Sequence, residues 1–231
     1  MRFPIALIVV SLAPVVCAMA DQSDSVAASD GWKFSSEQRG VKIFSRPHPG
    51  SAVKEFRAVG EIEACSREVH AVIDDIHGYP SFMPYTVECR LLKRETDSIL
   101  AYQRISPKIV CDRDYTLRIW ETSWPGADGF TFLNRWQTAN ASGPPKVPGV
   151  LRVKLCKGSW LLEPSSKTTT RATYSVCSDS CGKAPAFLAN EFSQVGIREV
   201  FAAVREQVKN PKYAVAERRD FRLGQGQSPA D

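Results

Sequence analysis

The stretch Cys111-Asp112-Arg113-Asp114-Tyr115-Thr116-Leu117-Arg118-Ile119-Trp120 decides how the rest of the chain must be built. With the two-residue period of a strand, Arg113, Tyr115, Leu117 and Ile119 share one face, and Asp112, Asp114, Thr116 and Arg118 the other. Arg113 is therefore expected among apolar side chains. A permanently charged guanidinium in an apolar interior is costly unless something receives it. The strand calls for either a buried ion pair or a cavity that admits a polar ligand group.

On both sides of this stretch the sequence reads as strands, over 87–94, 99–106, 112–124, 130–138, 150–162 and 169–178. Turn signals separate them, among them Glu95-Thr96-Asp97, Pro125-Gly126-Ala127-Asp128-Gly129 and Ser142-Gly143-Pro144-Pro145. Short connections between consecutive strands imply an antiparallel meander. Between Leu155 and Trp160 the apolar phase changes, and Gly158 is the expected place for a bulge. Upstream, 40–46 and 53–63 alternate around Pro47-His48-Pro49-Gly50 as a hairpin. A helix is expected over 67–76, capped by Ser66, with Val69, Val72, Ile73 and Ile76 at helical spacing. The longest helical pattern runs from Pro185 to Lys209 and carries Leu188, Phe192, Val195, Val204 and Val208 in one apolar stripe.

A long meander must cover its apolar face, and this C-terminal helix is the one element long and apolar enough to do so. The expected fold is therefore α+β, a strongly curved antiparallel sheet of about eight strands wrapped on the C-terminal helix. Such a sheet tends to enclose more volume than side chains fill, so an internal hydrophobic cavity is expected.

Composition is ordinary for a globular domain: 231 residues, 43% hydrophobic and 24% charged. Residues 1–20 stand apart, with Arg2, a short apolar run and Ala18-Met19-Ala20 before Asp21, the layout of a cleavable secretory signal. Cys17 raises a lipoprotein anchor as a further option, though Pro14-Val15-Val16 before it fits such processing poorly. The expected organisation is a signal at 1–20, a flexible arm at 21–30, one domain at 31–210 and a disordered tail at 211–231, with the protein exported to the periplasm or beyond. The formal charge of +5 loses only Arg2 with the signal, and no block of like charge is long enough to track a nucleic acid.

Six cysteines follow the signal: Cys65, Cys89, Cys111, Cys156, Cys177 and Cys181. If 163–170 is a hairpin turn, Cys156 and Cys177 are equally far from its centre and are disulfide candidates; the alternative is two buried thiols. The Cys177-x3-Cys181 spacing suits neither a redox pair nor a zinc site.

Several of these segments together resemble a known family. Trp32 with 40–46, Lys54-Glu55-Phe56-Arg57, Asp112-Arg113-Asp114-Tyr115, Gly158-Ser159-Trp160-Leu161-Leu162-Glu163-Pro164, Thr173-Tyr174 and Pro185-Ala186-Phe187-Leu188-Ala189-Asn190 are similar, in order and spacing, to landmarks of the START (steroidogenic acute regulatory protein-related lipid transfer) domain. The resemblance runs from Trp32 to Lys209. It implies a helix-grip fold, a tunnel for one hydrophobic molecule, and the C-terminal helix as a lid. It also matches Arg113 to the arginine of the family's Arg-Asp-aromatic motif, which faces the cavity, and leaves Asp114 on the outer face. Asp179-Ser180-Cys181-Gly182-Lys183 departs from the Asp-Pro-Gly-Gly common in relatives. No acid on 99–106 is placed to pair with Arg113, which favours a polar or anionic head group on the ligand.

Candidate cavity-lining residues are Arg113, Tyr102, Tyr115, Asn134, Trp136, Trp160 and Phe192. Catalysis needs a positioned nucleophile, acid/base pair or metal. The sequence has no GxSxG, Walker loop, HExxH or dinucleotide glycine motif, and no cofactor is expected. His70, Asp74 and His77 lie at helical spacing, but His77 adjoins a helix end where a histidine commonly caps carbonyls, so no metal is expected. The expectation is a non-enzymatic, monomeric carrier of a lipid or sterol-like molecule in transient contact with membranes. The alternatives are an aromatase/cyclase-like enzyme of the same superfamily and a protein-interaction module with a sealed core.

Overall fold

The computed structural model describes residues 31–49, 53–107, 111–179 and 186–214. The expected signal, the arm and most of the expected tail lie outside them. Ten strands form one antiparallel sheet with a single parallel contact. They are β1 (Lys33–Gln38), β2 (Val41–Pro47), β3 (Lys54–Ile62), β4 (Thr86–Arg94), β5 (Ile99–Ile105), β6 (Arg113–Gly126), β7 (Gly129–Thr138), β8 (Leu151–Arg152), β9 (Cys156–Ser166) and β10 (Thr169–Ser178). Helix α1 spans Ser66–Asp74, α2 Tyr79–Phe82, α3 Ala186–Gln207 and α4 Pro211–Ala214.

The sheet order is β1-β2-β3-β10-β9-β7-β6-β5-β4, with β8 on β6. The meander from β4 to β10 comes back to the N-terminal hairpin through the β3–β10 ladder, and this curls the sheet around α3. Alternation sets the faces. On the concave face Phe56, Ala58 and Ile62 of β3 meet Leu162 of β9, Ala172 of β10 and, from α3, Ile197, Phe201 and Val204 in one core. Phe201 and Val204 are fully buried. The helix is fastened at this end by Arg205, whose guanidinium donates to the carbonyls of Glu61, at 3.0 and 2.7 Å, and of Arg39, at 2.7 Å. Arg39 and Gly40 make the β1–β2 turn with φ of 52° and 67°, the left-handed region that glycine enters freely.

Three local expectations change. The cap of α1 is Cys65 rather than Ser66: the Cys65 N–H donates to the Glu68 carboxylate at 3.2 Å, while Ser66 Oγ donates to the Phe130 carbonyl at 2.6 Å. The chain does not bulge at Gly158, which pairs regularly with Trp136 and Val176. The phase change comes instead from a break between β8 and β9. Gly158 is there because a Cβ would lie 2.4 Å from the Trp136 indole and 2.3 Å from the Ser175 carbonyl. Finally, the packed chain continues past residue 210: in α4 Tyr213 is buried, and its hydroxyl donates to Asp75 at 2.8 Å.

The disulfide candidates are corrected by register. The β9–β10 ladder shifts by one residue between Thr169 and Thr170, so Cys177 stands opposite Lys157 and Cys156 opposite Ser178. A one-residue slip sends neighbouring side chains to opposite faces. Cys156 borders the cavity described below, Cys177 borders a pocket on the outer face, and both are free thiols. Burial raises the Cys156 thiol pKa to about 11 and also raises that of Cys177.

Candidate functional site

Between the concave sheet and the middle of α3, residues 193–200, lies a cavity of about 420 Å³. That volume is within the usual range of ligand pockets, ~300–1,000 Å³, and argues against a sealed core. Its wall is mostly apolar, with Ile105, Leu117 and Ile119 from the sheet and Ile197 and Val200 from α3. One side is aromatic: Trp160 lies 4.6 Å from Tyr174 and 5.3 Å from Phe201 between ring centroids, and Trp136 lies 5.7 Å from Tyr174.

Arg113 is on this wall and is 2% exposed. Its Nη1 donates to the Cys111 carbonyl, and among the described residues it forms no ion pair. Both neighbouring acids are engaged elsewhere. Asp112 accepts from Ser106 at 2.6 Å and from Arg104 at 2.9 and 2.5 Å, and these bonds hold its carboxyl below the usual range. Asp114, fully buried on the opposite face, receives Arg152 in a fork at 2.6 and 2.8 Å and the Tyr102 hydroxyl at 3.1 Å. A forked arginine–carboxylate pair satisfies both partners, so Asp114 is a structural anchor. The Arg-Asp pair thus points one residue into the cavity and the other into the scaffold.

Two more polar residues, Tyr115 and Gln103, face the cavity near Arg113. Tyr115 donates to Gln103 Oε1 at 3.1 Å, and Gln103 Nε2 donates to Thr86 at 2.8 Å. Asn134 is 4% exposed, and its Oδ1 has no hydrogen-bond partner among the described residues. A buried amide oxygen left unpaired costs about 1–3 kcal/mol; Asn134 stands opposite Glu121 in the β6–β7 ladder, so this unused acceptor lies toward the other end of the cavity from Arg113.

At the α1 end the wall includes Asp74 and Tyr79. Burial, aided by the nearby Glu121 charge, raises the Asp74 carboxyl pKa against the opposing pull of His70. His70 itself stacks on Phe132 at 4.2 Å and pairs with Glu121 at 3.2 Å. The structure therefore does not gather His70, Asp74 and His77 into one group of metal-ligand atoms. Between Arg113 and Ile119 the cavity follows six residues of β6, roughly 20 Å of strand.

Of the predicted lining residues, Arg113, Tyr115, Asn134, Trp136 and Trp160 border the cavity. Tyr102 does not: Gln103 is paired with Tyr115 on the inner face, so alternation turns Tyr102 outward to Asp114. Burial beside the Asp114 carboxylate raises its pKa to about 12. The side chain of Phe192 lies outside the described residues. Gln103, Asp74 and Tyr174 border the cavity without having been predicted; the β5–β6 pairing was the available signal for Gln103.

Comparison with known proteins places these features. A Pseudomonas aeruginosa protein, "Uncharacterized protein PA1579", is 30% identical over 167 residues, which is 72% of this chain and 81% of that one. A crystal structure described as the STAR-related lipid transfer protein of Xanthomonas axonopodis is 25% identical, with a TM-score of 0.68 over 78% of this chain and 99% of that one. Human StAR-related lipid transfer protein 5 shares the fold at 17% identity, with a TM-score of 0.70 over 83% of this chain and 92% of that one. The family described as "Polyketide cyclase / dehydrase and lipid transport" matches residues 62–205. That match overturns the expectation of a non-enzymatic protein, because the family takes in cyclases and dehydrases alongside lipid transport. With a helix-grip fold, an internal cavity and a match across most of the domain, this chain belongs to the polyketide cyclase/dehydrase and lipid transport family.

Proposed function

We propose that the protein binds one lipid-like molecule in the cavity, its polar head group against Arg113 and its apolar body along the aromatic wall, and carries it outside the cytoplasm. The observation that carries this is Arg113, buried without an ion pair among the described residues while both adjacent aspartates serve other arginines. A charge in that position needs a counter-group, and the cavity is where one fits. The apolar wall supplies the affinity, at about 0.8 kcal/mol per buried CH2. The description of the Xanthomonas relative supports lipid transfer. Export rests on the apolar run and small-residue site at 1–20. No helix among the described residues is long and apolar enough to cross a membrane.

The test compares a fluorescent long-chain fatty acid with its methyl ester. Wild type is expected to prefer the acid, and Arg113→Ala to bind both equally. A variant that keeps the preference would refute the head-group role.

A second proposal rests on Asp74. A carboxyl with a raised pKa on a cavity wall suits general acid/base work, and the family includes cyclases and dehydrases. If such chemistry occurs, turnover of a cavity-bound polyketone by the purified protein should be lost in Asp74→Asn with ligand binding retained; absence of turnover in wild type would remove this proposal.

A further inference from the structure

We propose a second binding site on the convex face of the sheet, for an anion of phosphate chemistry, in a pocket of about 560 Å³ on the far side of the sheet from the cavity. The site is built by strand register. Across β6, β7, β9, β10 and β3, one outward row runs Trp120, Arg135, Ser159, Ser175, Arg57. Two small serines at its centre leave the surface concave. An arginine stands at either side of them, the two Cα positions roughly 14 Å apart by inter-strand spacing.

The neighbouring positions add donors. Lys157 precedes Ser159 by one outward position, and Trp32 closes the pocket beyond Arg57. The guanidinium groups of Arg46 and Arg57 lie 4.5 and 4.4 Å from the Trp32 ring centroid. Trp32 is 7% exposed, and its Nε1–H has no acceptor among the described residues. A buried N–H without an acceptor is uncommon and implies a missing partner. Arg135 likewise pairs with no acid among the described residues.

Against four cationic side chains the pocket wall offers one carboxylate, Glu55. That carboxylate is shared among Arg46 at 2.6 Å, His48 at 3.2 Å and Lys157 at 3.3 Å. Burial raises the Glu55 pKa, but Arg46 and Lys157 outweigh it and hold the group ionised.

A cation fits this place poorly. His48, Glu55 and Cys177 do bring ligand atoms within 4.8 Å of one another. A divalent metal there would have to displace two positive side chains from Glu55 and take a proton from a thiol whose pKa burial has raised. An indole N–H without an acceptor and an arginine without an acid, beside cations that share one carboxylate, suit a compact, multiply charged anion. Free phosphate and a phospholipid head group share that chemistry.

The experiment uses the full chain. Inorganic phosphate is titrated by calorimetry, and vesicles of phosphatidylcholine with and without phosphatidylglycerol are tested by co-sedimentation. Wild type is expected to bind at least one probe, and Arg135→Gln about tenfold more weakly, the loss of one charge-assisted hydrogen bond. Trp32→Phe, which removes only the indole donor and some ring area, should weaken the same binding. Fatty acid uptake by the inner cavity serves as the control and should be unchanged in both variants, so failure here is separable from failure of the cavity proposal. The vesicles decide between the two sources of phosphate. Absence of binding to both probes, or equal binding by wild type and Arg135→Gln, would overturn the site.

Discussion

At the scale of the residue, the informative contrast is between two arginines on neighbouring segments. Arg152 has its carboxylate and helps to tie β8 to β6, whereas Arg113 points into a cavity, hydrogen-bonded to the Cys111 carbonyl and without an ion pair among the described residues. An ion-paired arginine and a ligand-receiving arginine respond oppositely to removal. Breaking the Arg152–Asp114 pair leaves a buried carboxylate uncompensated, so Arg152→Met should destabilise by about 3–5 kcal/mol. Arg113→Met removes a charge that forms no ion pair among the described residues and whose neighbouring acid, Asp112, keeps its bonds to Arg104 and Ser106, so it should leave the ligand-free protein equally or more thermostable. Thermal unfolding of both variants measures this, and a large loss in Arg113→Met would mean that its partner is within the protein. The inward direction of Arg113 was legible from alternation alone. Its unpaired state was only partly so, because the sequence offers Asp112 and Asp114 beside it and only the structure shows Arg104 and Arg152 taking them.

At the scale of the element, most strands and the two long helices followed from periodicity, though β1 was not foreseen and the run expected over 150–162 divides into β8 and β9; register did not follow. The misplaced disulfide shows why. Symmetry about a turn gives the right partner strand, yet one irregularity between Thr169 and Thr170 moves Cys156 and Cys177 to opposite faces. Alkylation of the unfolded, unreduced protein followed by peptide mass spectrometry should find no Cys156–Cys177 linkage. Tyr102 was misplaced for a related reason: an aromatic side chain on β5 looks like cavity wall until the pairing of Gln103 with Tyr115 sets the phase. The Gly158 contact with Trp136 was illegible, because nothing in one strand announces an indole crossing from the next.

Two consecutive stretches of helix α3 have different duties. Its last two turns hold Phe201, Val204 and the Arg205 anchor, and the stretch 193–200 before them roofs the cavity, with Gly196 on the wall. Phe201→Ala should cost about 3–5 kcal/mol of global stability. Gly196→Ala meets open space at Cβ and removes a helix-weakening residue. It should stabilise the helix by up to about 1 kcal/mol and slow ligand exchange, which stopped-flow release of a fluorescent fatty acid would measure. Faster or unchanged exchange would place the moving part elsewhere.

At the scale of the whole molecule, α4, the last described element, is held to the C-terminal end of α1. Lys212 and the Tyr213 hydroxyl both donate to Asp75, at 2.6 and 2.8 Å. Burial raises the Asp75 pKa, but these two bonds outweigh it and hold the carboxyl below its ordinary value. A depressed folded-state pKa contributes stability that is complete above the unfolded value, about 3.9, and is lost as pH falls through the folded value. The advantage of wild type over Asp75→Asn in thermal unfolding should therefore be full at neutral pH and disappear on acidification below about pH 4. An advantage that does not change with pH would mean that it does not come from the ionised Asp75 carboxylate.

The two faces of the sheet suit different chemistries, an apolar interior with one uncompensated cation and a convex pocket lined by donors. The inner one carries the central claim, and native mass spectrometry of the protein purified without detergent, followed by organic extraction and lipid identification, tests it most directly. The expected result is one bound lipid per chain, with an acidic or strongly polar head group, and its loss or replacement in Arg113→Ala. A protein that emerges empty and takes up no lipid from a mixed panel would contradict it.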